Sequence, residues 1–461
     1  MSYGDNLHYE KFADGSVKCI EDEIPFDLPD GWEWVRLGSV GDMTLGKMLD
    51  VTKNKGTLRP YLRNINVRWG AFELSDVLEM RFEDDELERY SIRHGDLVIC
   101  EGGEPGRCAV WQSEEVVFYQ KALHRVRAIE VLPEFLYYVI RHFIISNQYE
   151  RYYTGTTIKH LTGQSLRIIP IPLPPLNEQK LIVEHLQRII EEIDKIETEK
   201  TEALSLVSFA KSKILDLAIR GQLVPQDPDD EPASVLLERI RAEKEELIKQ
   251  GKIKRNKKES IIFRGEDNSY YVRQDTHMES IDEQFIFEFP DNWEWCSLLN
   301  IAKIELGKTL DSAKNIGTNY PYLRSVNVRW NEVDLSDLKE MRFEPEELDR
   351  YTVRHNDLLI CEGGDVGRSC VWTDEKEILY QNALHRVRFY GGCNPFYFMY
   401  YMMYYESRGI IKALCKGVTI KHLTGNVLSL IPFALPPIEE QDRIVKRLNR
   451  IFVLLDSIIC D

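Results

Sequence analysis

The residues of this chain best suited to chemistry are basic and amide side chains, and their chemistry is contact with anions and base edges rather than bond-making. From Thr44 to Arg68 the sequence carries Lys47, Lys53, Lys55, Arg59, Arg63 and Arg68 against Asp50 alone, a net of +5. Lys47, Lys53, Lys55 and Arg59 suit phosphate or groove contacts from a loop, and Arg63, Asn64, Asn66 and Arg68 offer the guanidinium and amide groups that pair with base edges. The stretch Glu305 to Arg329 repeats the pattern more weakly: Lys308, Lys314, Arg324, Asn327 and Arg329 stand against Glu305 and Asp311. A second tier comprises His124 and Arg125, Lys159 and His160, with counterparts His385 and Arg386, Lys421 and His422. For each His a satisfied structural hydrogen bond is the competing reading, and for the charge runs a solvated face.

Catalytic signatures are not legible. "EGGEPG" from Glu101 lacks the GK[ST] ending of a phosphate loop, so it implies only a glycine turn that lets backbone approach something closely. "NPFY" at Asn394 lacks the second Pro of an adenine-methyltransferase motif and reads as a helix cap. HExxH, a zinc set and a nucleophile elbow are missing, so no cofactor or metal is expected on this chain. The nine Cys are scattered without CxxC and read as mostly buried thiols.

A net charge of −17 excludes a protein that coats nucleic acid by bulk charge, leaving local patches to do so. With 43% hydrophobic and 29% charged residues the composition is globular, and no apolar run is long enough to span a membrane. "MSYGDNLHYEKF" lacks a signal-peptide core, so a cytoplasmic location is expected.

The elements that must position these residues occur twice. "ALHRVR" stands at Ala122 and again at Ala383, and 261 positions also separate "PYLRNINVRW" (Pro60) from "PYLRSVNVRW" (Pro321) and "ICEGGEPGR" (Ile99) from "ICEGGDVGR" (Ile360). One residue later in register, "TIKHLTG" at Thr157 returns at Thr419, and "LPPLNEQ" at Leu173 as "LPPIEEQ" at Leu435. A period this long means two domain-sized units. Each unit reads as mixed α/β. "DLVICEGG" and "ALHRVR" are strands, the latter with Leu123, Arg125 and Arg127 on one face and His124 with Val126 on the other, whereas Pro133 to Tyr153 is expected to be one helix.

From Glu178 to Arg220 a heptad seam, Ile182, Leu186, Ile189, Ile193 and Ile196 onward, predicts a helix roughly 65 Å long, stopped by Gly221. The second unit is followed by the seam Ile444, Leu448, Ile451, Leu455 and Ile458, and the two helices are expected to pair antiparallel as a coiled coil. Between them a segment that occurs once carries a Pro/Asp loop, a helix from Pro232 to Gly251 and the basic tail "KIKRNKK".

Two domains that each open on "P-D-G/N-W-E-W" (Pro29, Trp32, Trp34; Pro290, Trp293, Trp295), carry "PYLR..NV" and close with "TIKHLTG…P.PLPP..EQ" before a long helix resemble the specificity subunits of Type I restriction-modification systems. The central "GQLVPQDPDDEPASVLLERIRAEKEELIKQGKIK" resembles their middle region, so the likeness covers essentially the whole chain. It implies an N-terminal conserved segment (1–27), target recognition domains at 28–176 and 265–437, a central conserved region (177–264) and a C-terminal conserved helix (438–461), with spacer length adjusted near "TEKTEAL" at Thr198. It further implies a non-catalytic subunit that reads a bipartite target on double-stranded DNA and binds two methyltransferase subunits and, beyond them, restriction subunits, with S-adenosylmethionine and ATP on those partners. The competing functions are a bivalent DNA-bridging protein without sequence preference, and a chain with its own methyltransferase or nuclease activity.

Overall fold

The alternating ALHRVR run forms the strand Leu123–Ala128 in the computed structural model, which describes residues 7–155, 159–255, 260–265, 269–274, 277–281, 287–311, 315–415 and 422–460. The strand lies between Asp96–Cys100 and Gly41–Leu45, antiparallel to both, with Cys108–Val110 beyond. A second sheet runs in the order Leu78–Phe82, Thr57–Leu62, Val117–Tyr119 and Ser91–Ile92, its middle pair parallel. Period two sends the strand's side chains into two cores. Leu123 packs with Leu62, Val98 and Tyr119 between the sheets, while Val126 meets Leu136 and Ile140 of the helix Pro133–Ile145.

The chain divides into two compact units, Met1–Glu197 and Thr198–Asp461, and the second contains the same two strand orders. There Leu384–Phe389 lies between Leu358–Cys361 and Ala302–Leu306, and Thr318–Leu323 is parallel to Ile378–Tyr380. Register is kept to the residue: His124 stands opposite Leu45 and Ile99, His385 opposite Leu306 and Ile360.

The first unit's helix is shorter than the expected Pro133–Tyr153. It ends at Ile145 because Asn147 turns to φ +58°, the Ser146 hydroxyl donates back to the His142 carbonyl (2.7 Å), and the chain folds so that Tyr149 and Tyr152 become buried. Its counterpart Pro395–Ser407 carries Tyr397, Phe398, Tyr400, Tyr401 and Tyr405, all fully buried, as expected of a helix apolar all round. The Asn394 side chain caps it, accepting from the Phe396 N–H (2.9 Å). The helix Ala233–Lys249 packs on this unit with Ile240 against Gly391, where an added Cβ would come within 2.5 Å.

The long helix runs Leu176–Ile219, and Gly221 at φ +68° ends it while the Gln222 N–H closes onto the Leu217 carbonyl (2.8 Å). In the first unit Ile182 and Leu186 are half-buried, and Ile189, Ile193 and Ile196 are exposed by about half (52%, 49% and 62%). In the second unit Lys211 pairs with Asp456 and covers the Phe452 ring, while Gln226, beyond the helix end, bonds Glu440. That sequence of contacts runs antiparallel to the terminal helix Ile438–Cys460, on which Ile444 and Leu448 are fully buried, Ile451 and Leu455 half-buried and Ile458 exposed. Of the eight Cys with described side chains, all but the exposed Cys19 are buried. Among the described residues no helix is long and apolar enough to cross a membrane.

Candidate nucleic-acid interface

Each central strand anchors its domain through the residues expected to touch DNA. His124 is buried, and its Nε2 donates to the Leu161 carbonyl (3.1 Å), as His385 does to Leu423 (2.8 Å). Burial holds both imidazoles below the usual His range, outweighing the carbonyl bond. Arg125, 3% exposed, gives Nη1 to the Arg89 and Ser91 carbonyls (3.2 and 3.0 Å) and Nη2 to Asp42 (2.9 Å). Arg386, 1% exposed, is bound to Thr352 and Glu305. The cationic edge foreseen on this face is therefore neutralised inside the fold. Arg127 completes it with a bidentate pair on the buried Asp96 (2.8 and 2.8 Å), and Arg388 with Asp357.

The turn after Thr57–Leu62 is built like a bracket. Asn66 is 1% exposed and spends its whole amide: Oδ1 accepts from the Arg63 N–H (2.9 Å), and Nδ2 donates to the Glu73 and Asp76 carbonyls (2.9 Å each). Arg63 reaches the Asp76 carbonyl and carboxylate with Nη2 (2.8 Å each). In the second unit Asn327 and Arg324 make the same bonds to Arg324, Asp334 and Asp337. Asn66 and Asn327 thus shape the turn from inside, whereas Arg68 and Arg329 are exposed beside it.

The basic loop separates into two kinds of lysine. Lys47, 5% exposed, is clamped by Glu83 and Glu86. Although burial pulls its pKa down, the bonds to Glu83 and Glu86 carry it above the usual lysine value, and the Lys47 bond holds Glu83 down at about 2. Lys308 repeats the clamp on Glu347. Lys53, by contrast, has 85% of its side chain exposed with Asp50 at 3.6 Å, and Lys55 is exposed while its N–H bonds Glu83 (2.7 Å). Arg59 lies half-buried over the Phe118 ring, 5.5 Å from its centroid. Lys314 falls outside the described residues.

The "EGG" turn closes the site. Asn64 Nδ2 donates to the Gly102 carbonyl (2.8 Å), and a Cβ on Gly102 would lie 2.9 Å from the His160 ring, so glycine is what lets that imidazole rest on the backbone. A Cβ on Gly363 would likewise lie 3.3 Å from the His422 ring. Both rings are exposed, and Lys159 pairs with Glu150 (2.7 Å); Lys421 lies outside the described residues. Among the described residues no group of three or more His, Cys, Asp or Glu is placed to hold a metal.

Sequence reasoning missed the residues that brace these turns. Arg107, at the end of "EGGEPGR", donates to the Asn64 carbonyl (2.9 Å), and Arg368 to that of Ser325 (2.9 Å). Trp32 and Trp293 donate their indole N–H to Glu178 and Glu440 (2.7 and 2.8 Å), while Gln179 and Gln441 bind a neighbouring Pro carbonyl and an inter-element N–H. The "WEW" and "EQ" repeats therefore lock each long helix to its domain. Their recurrence in both halves was the available signal.

The family described as Type I restriction modification DNA specificity domain matches residues 29–206 and again 290–458. The EcoAI specificity subunit of a Type I restriction enzyme from Escherichia coli is 24% identical over 94% of this chain and 79% of its own length. The EcoEI specificity subunit, also from Escherichia coli, is 23% identical over 96% and 81%. Among solved structures, a chain of a type I R-M system aligns with a TM-score of 0.61 at 20% identity, covering 94% of this chain and 93% of that one. The HsdS subunit from Thermoanaerobacter tengcongensis gives 0.54 at 20% identity, covering 94% and 92%; at such identities these two likenesses concern the fold.

Proposed function

Because the chain belongs to the Type I restriction-modification DNA specificity family, we propose that it is the non-catalytic subunit that reads a bipartite DNA target and directs partner methyltransferase and restriction subunits to it. The observation that carries this reading is the pair of bracketed turns, each presenting an exposed Arg beside an amide- or hydroxyl-bearing tip on a rigid support. Rigid display of a few polar groups is what base-edge discrimination needs, because a mobile group loses in ordering entropy what it gains in contact.

The proposed target recognition domains are 28–176 and 265–437, with conserved regions at 1–27, 177–264 and 438–461. Arg68 and Arg329, with Asn64, His160 and His422, are the base-edge group, and Lys53, Lys55, Arg59, Lys159, Lys314 and Lys421 the phosphate-tracking group. The buried Lys47, Lys308, His124, His385, Arg125, Arg386, Asn66 and Asn327, and the tied Arg63 and Arg324, support them from inside. An antiparallel coiled coil between Leu176–Ile219 and Ile438–Cys460 sets the gap between half-sites of opposite polarity, as a dimeric reader does with two chains. Ile444 and Leu448 of the terminal helix share one buried core with Leu215, Ala218 and Ile219 of the long helix, which supports that pairing. Methyl transfer and cleavage, with S-adenosylmethionine and ATP, belong to the partners.

The test is methyl transfer to DNA from labelled S-adenosylmethionine. The purified chain alone is expected to transfer nothing, and adding its methyltransferase partner is expected to give methylation confined to one bipartite sequence. Transfer by the isolated chain, or methylation without sequence preference, overturns the reading.

A further inference from the structure

The segments "PYLRNINVRW" and "PYLRSVNVRW" differ at only two positions, Asn64–Ile65 and Ser325–Val326. Those positions are the tip of the turn. Its backbone is the same in both units, with Arg63 at φ −120°, ψ 170° and Arg324 at φ −120°, ψ 169°. The residues that hold it are the same too: Asn66 and Asn327 from inside, and Arg107 and Arg368 on the carbonyl of the tip's first residue, at 2.9 Å in each case. Ile65 and Val326 are each 50% exposed. Two different pairs of side chains are thus displayed on one rigid mount.

The differing groups have unspent capacity. Asn64 gives Nδ2 to the Gly102 carbonyl, which uses one of its two amide hydrogens. Its Oδ1 is covered and finds no donor among the described residues. Such an orphaned acceptor is costly, so a donor that reaches it is rewarded. Ser325 carries a single hydroxyl in the same place, and no side-chain bond to the Gly363 carbonyl replaces that of Asn64. Beside the amide, Ile65 presents an aliphatic surface with a methylene more than Val326, suited to the apolar part of a base edge such as the thymine methyl.

We propose that Asn64–Ile65 and Ser325–Val326 are specificity-determining pairs, which make the two half-sites differ although the domains are built alike. Asn64 reads a base whose major-groove edge carries an amino donor, adenine or cytosine, through Oδ1 once the side chain turns out from Gly102. The basic loop between Met48 and Arg59 then serves mainly as a phosphate grip, since exposed lysines such as Lys53 and Lys55 carry little sequence information. This inference rests on the DNA-reading function proposed above.

The experiment exchanges the tips in the full chain, as Asn64→Ser with Ile65→Val, and reciprocally Ser325→Asn with Val326→Ile, co-expressed with the partner subunits. Each side chain enters a backbone that already accommodates it, and an unchanged melting temperature confirms the fold. Modified bases are then mapped by sequencing. In the first variant, preference at one or two positions of one half-site is expected to shift by roughly 5- to 150-fold toward the other half-site's identity, with loss of an adenine or cytosine. The reciprocal variant should alter only the other half-site. A folded variant that modifies the parental sequence unchanged overturns the inference while leaving the DNA-reading function standing. A parent that modifies no bipartite sequence instead removes the function on which the inference rests.

Discussion

Asn66→Ala separates an internal brace from a DNA contact. The amide makes three bonds of 2.9 Å, to the Arg63 N–H and the Glu73 and Asp76 carbonyls, in a site 1% exposed. At about 1 kcal/mol net per bond the truncation removes about 3 kcal/mol of local stability, and the stranded groups add to the loss. Because a factor of ten corresponds to about 1.4 kcal/mol, the free energy of opening the turn falls by enough to raise amide exchange about a hundredfold. Hydrogen exchange followed by mass spectrometry over residues 60–76 reads this directly, without DNA. The same variant is expected to lose sequence discrimination while keeping its salt-dependent, sequence-independent affinity, since Lys53 and Lys55 remain exposed. If exchange in that segment is unchanged and discrimination is nonetheless lost, Asn66 touches the base itself and the bracket argument fails.

Three further outcomes follow from the same geometry. His124 and His385 have folded pKa values lowered by burial, so their contribution to stability is present above the unfolded value of about 6.5 and is lost as pH falls below it. The double variant His124→Gln, His385→Gln should therefore melt with a flatter pH dependence between about pH 7 and 5; an unaltered slope refutes the assignment. Lys53→Ala should weaken specific and random duplexes alike and reduce the slope of log affinity against log salt by about 1, and a loss confined to specific DNA would contradict its placement on phosphate. Ile214→Asp with Ile451→Asp, level with each other in the register set by Lys211 and Asp456, should change the solution dimensions of the chain, seen by small-angle scattering, while both domains stay folded; unchanged dimensions argue against the paired rod.

Much of the fold was legible because duplication makes the sequence its own comparison. The ALHRVR strand, its two faces and the stop at Gly221 follow from period two and from a glycine at φ +68°, both local properties. The end of the helix at Ile145 was not legible, since an apolar periodicity continues through Tyr149 and Tyr152 even though those rings turn back into the core. The site was legible only as a set of residues. Lys47 resembles Lys53 in sequence, and what separates them is Glu83 and Glu86, more than thirty residues away and brought close by the pairing of Thr57–Leu62 with Leu78–Phe82. In the same way Asn66 reads as an amide free for bases until Glu73 and Asp76 are folded over it. Buried polar groups take partners from tertiary structure, so no local pattern announces which basic residues remain for DNA.

The most direct measurement is selection of bound duplexes from a random library by the purified chain in complex with its methyltransferase partner, followed by sequencing. The expected result is one motif of two defined, similar and inverted half-sites separated by a fixed stretch of unread base pairs, one half for each bracketed turn. Enrichment of a single contiguous motif, or no enrichment over the starting library, would contradict it.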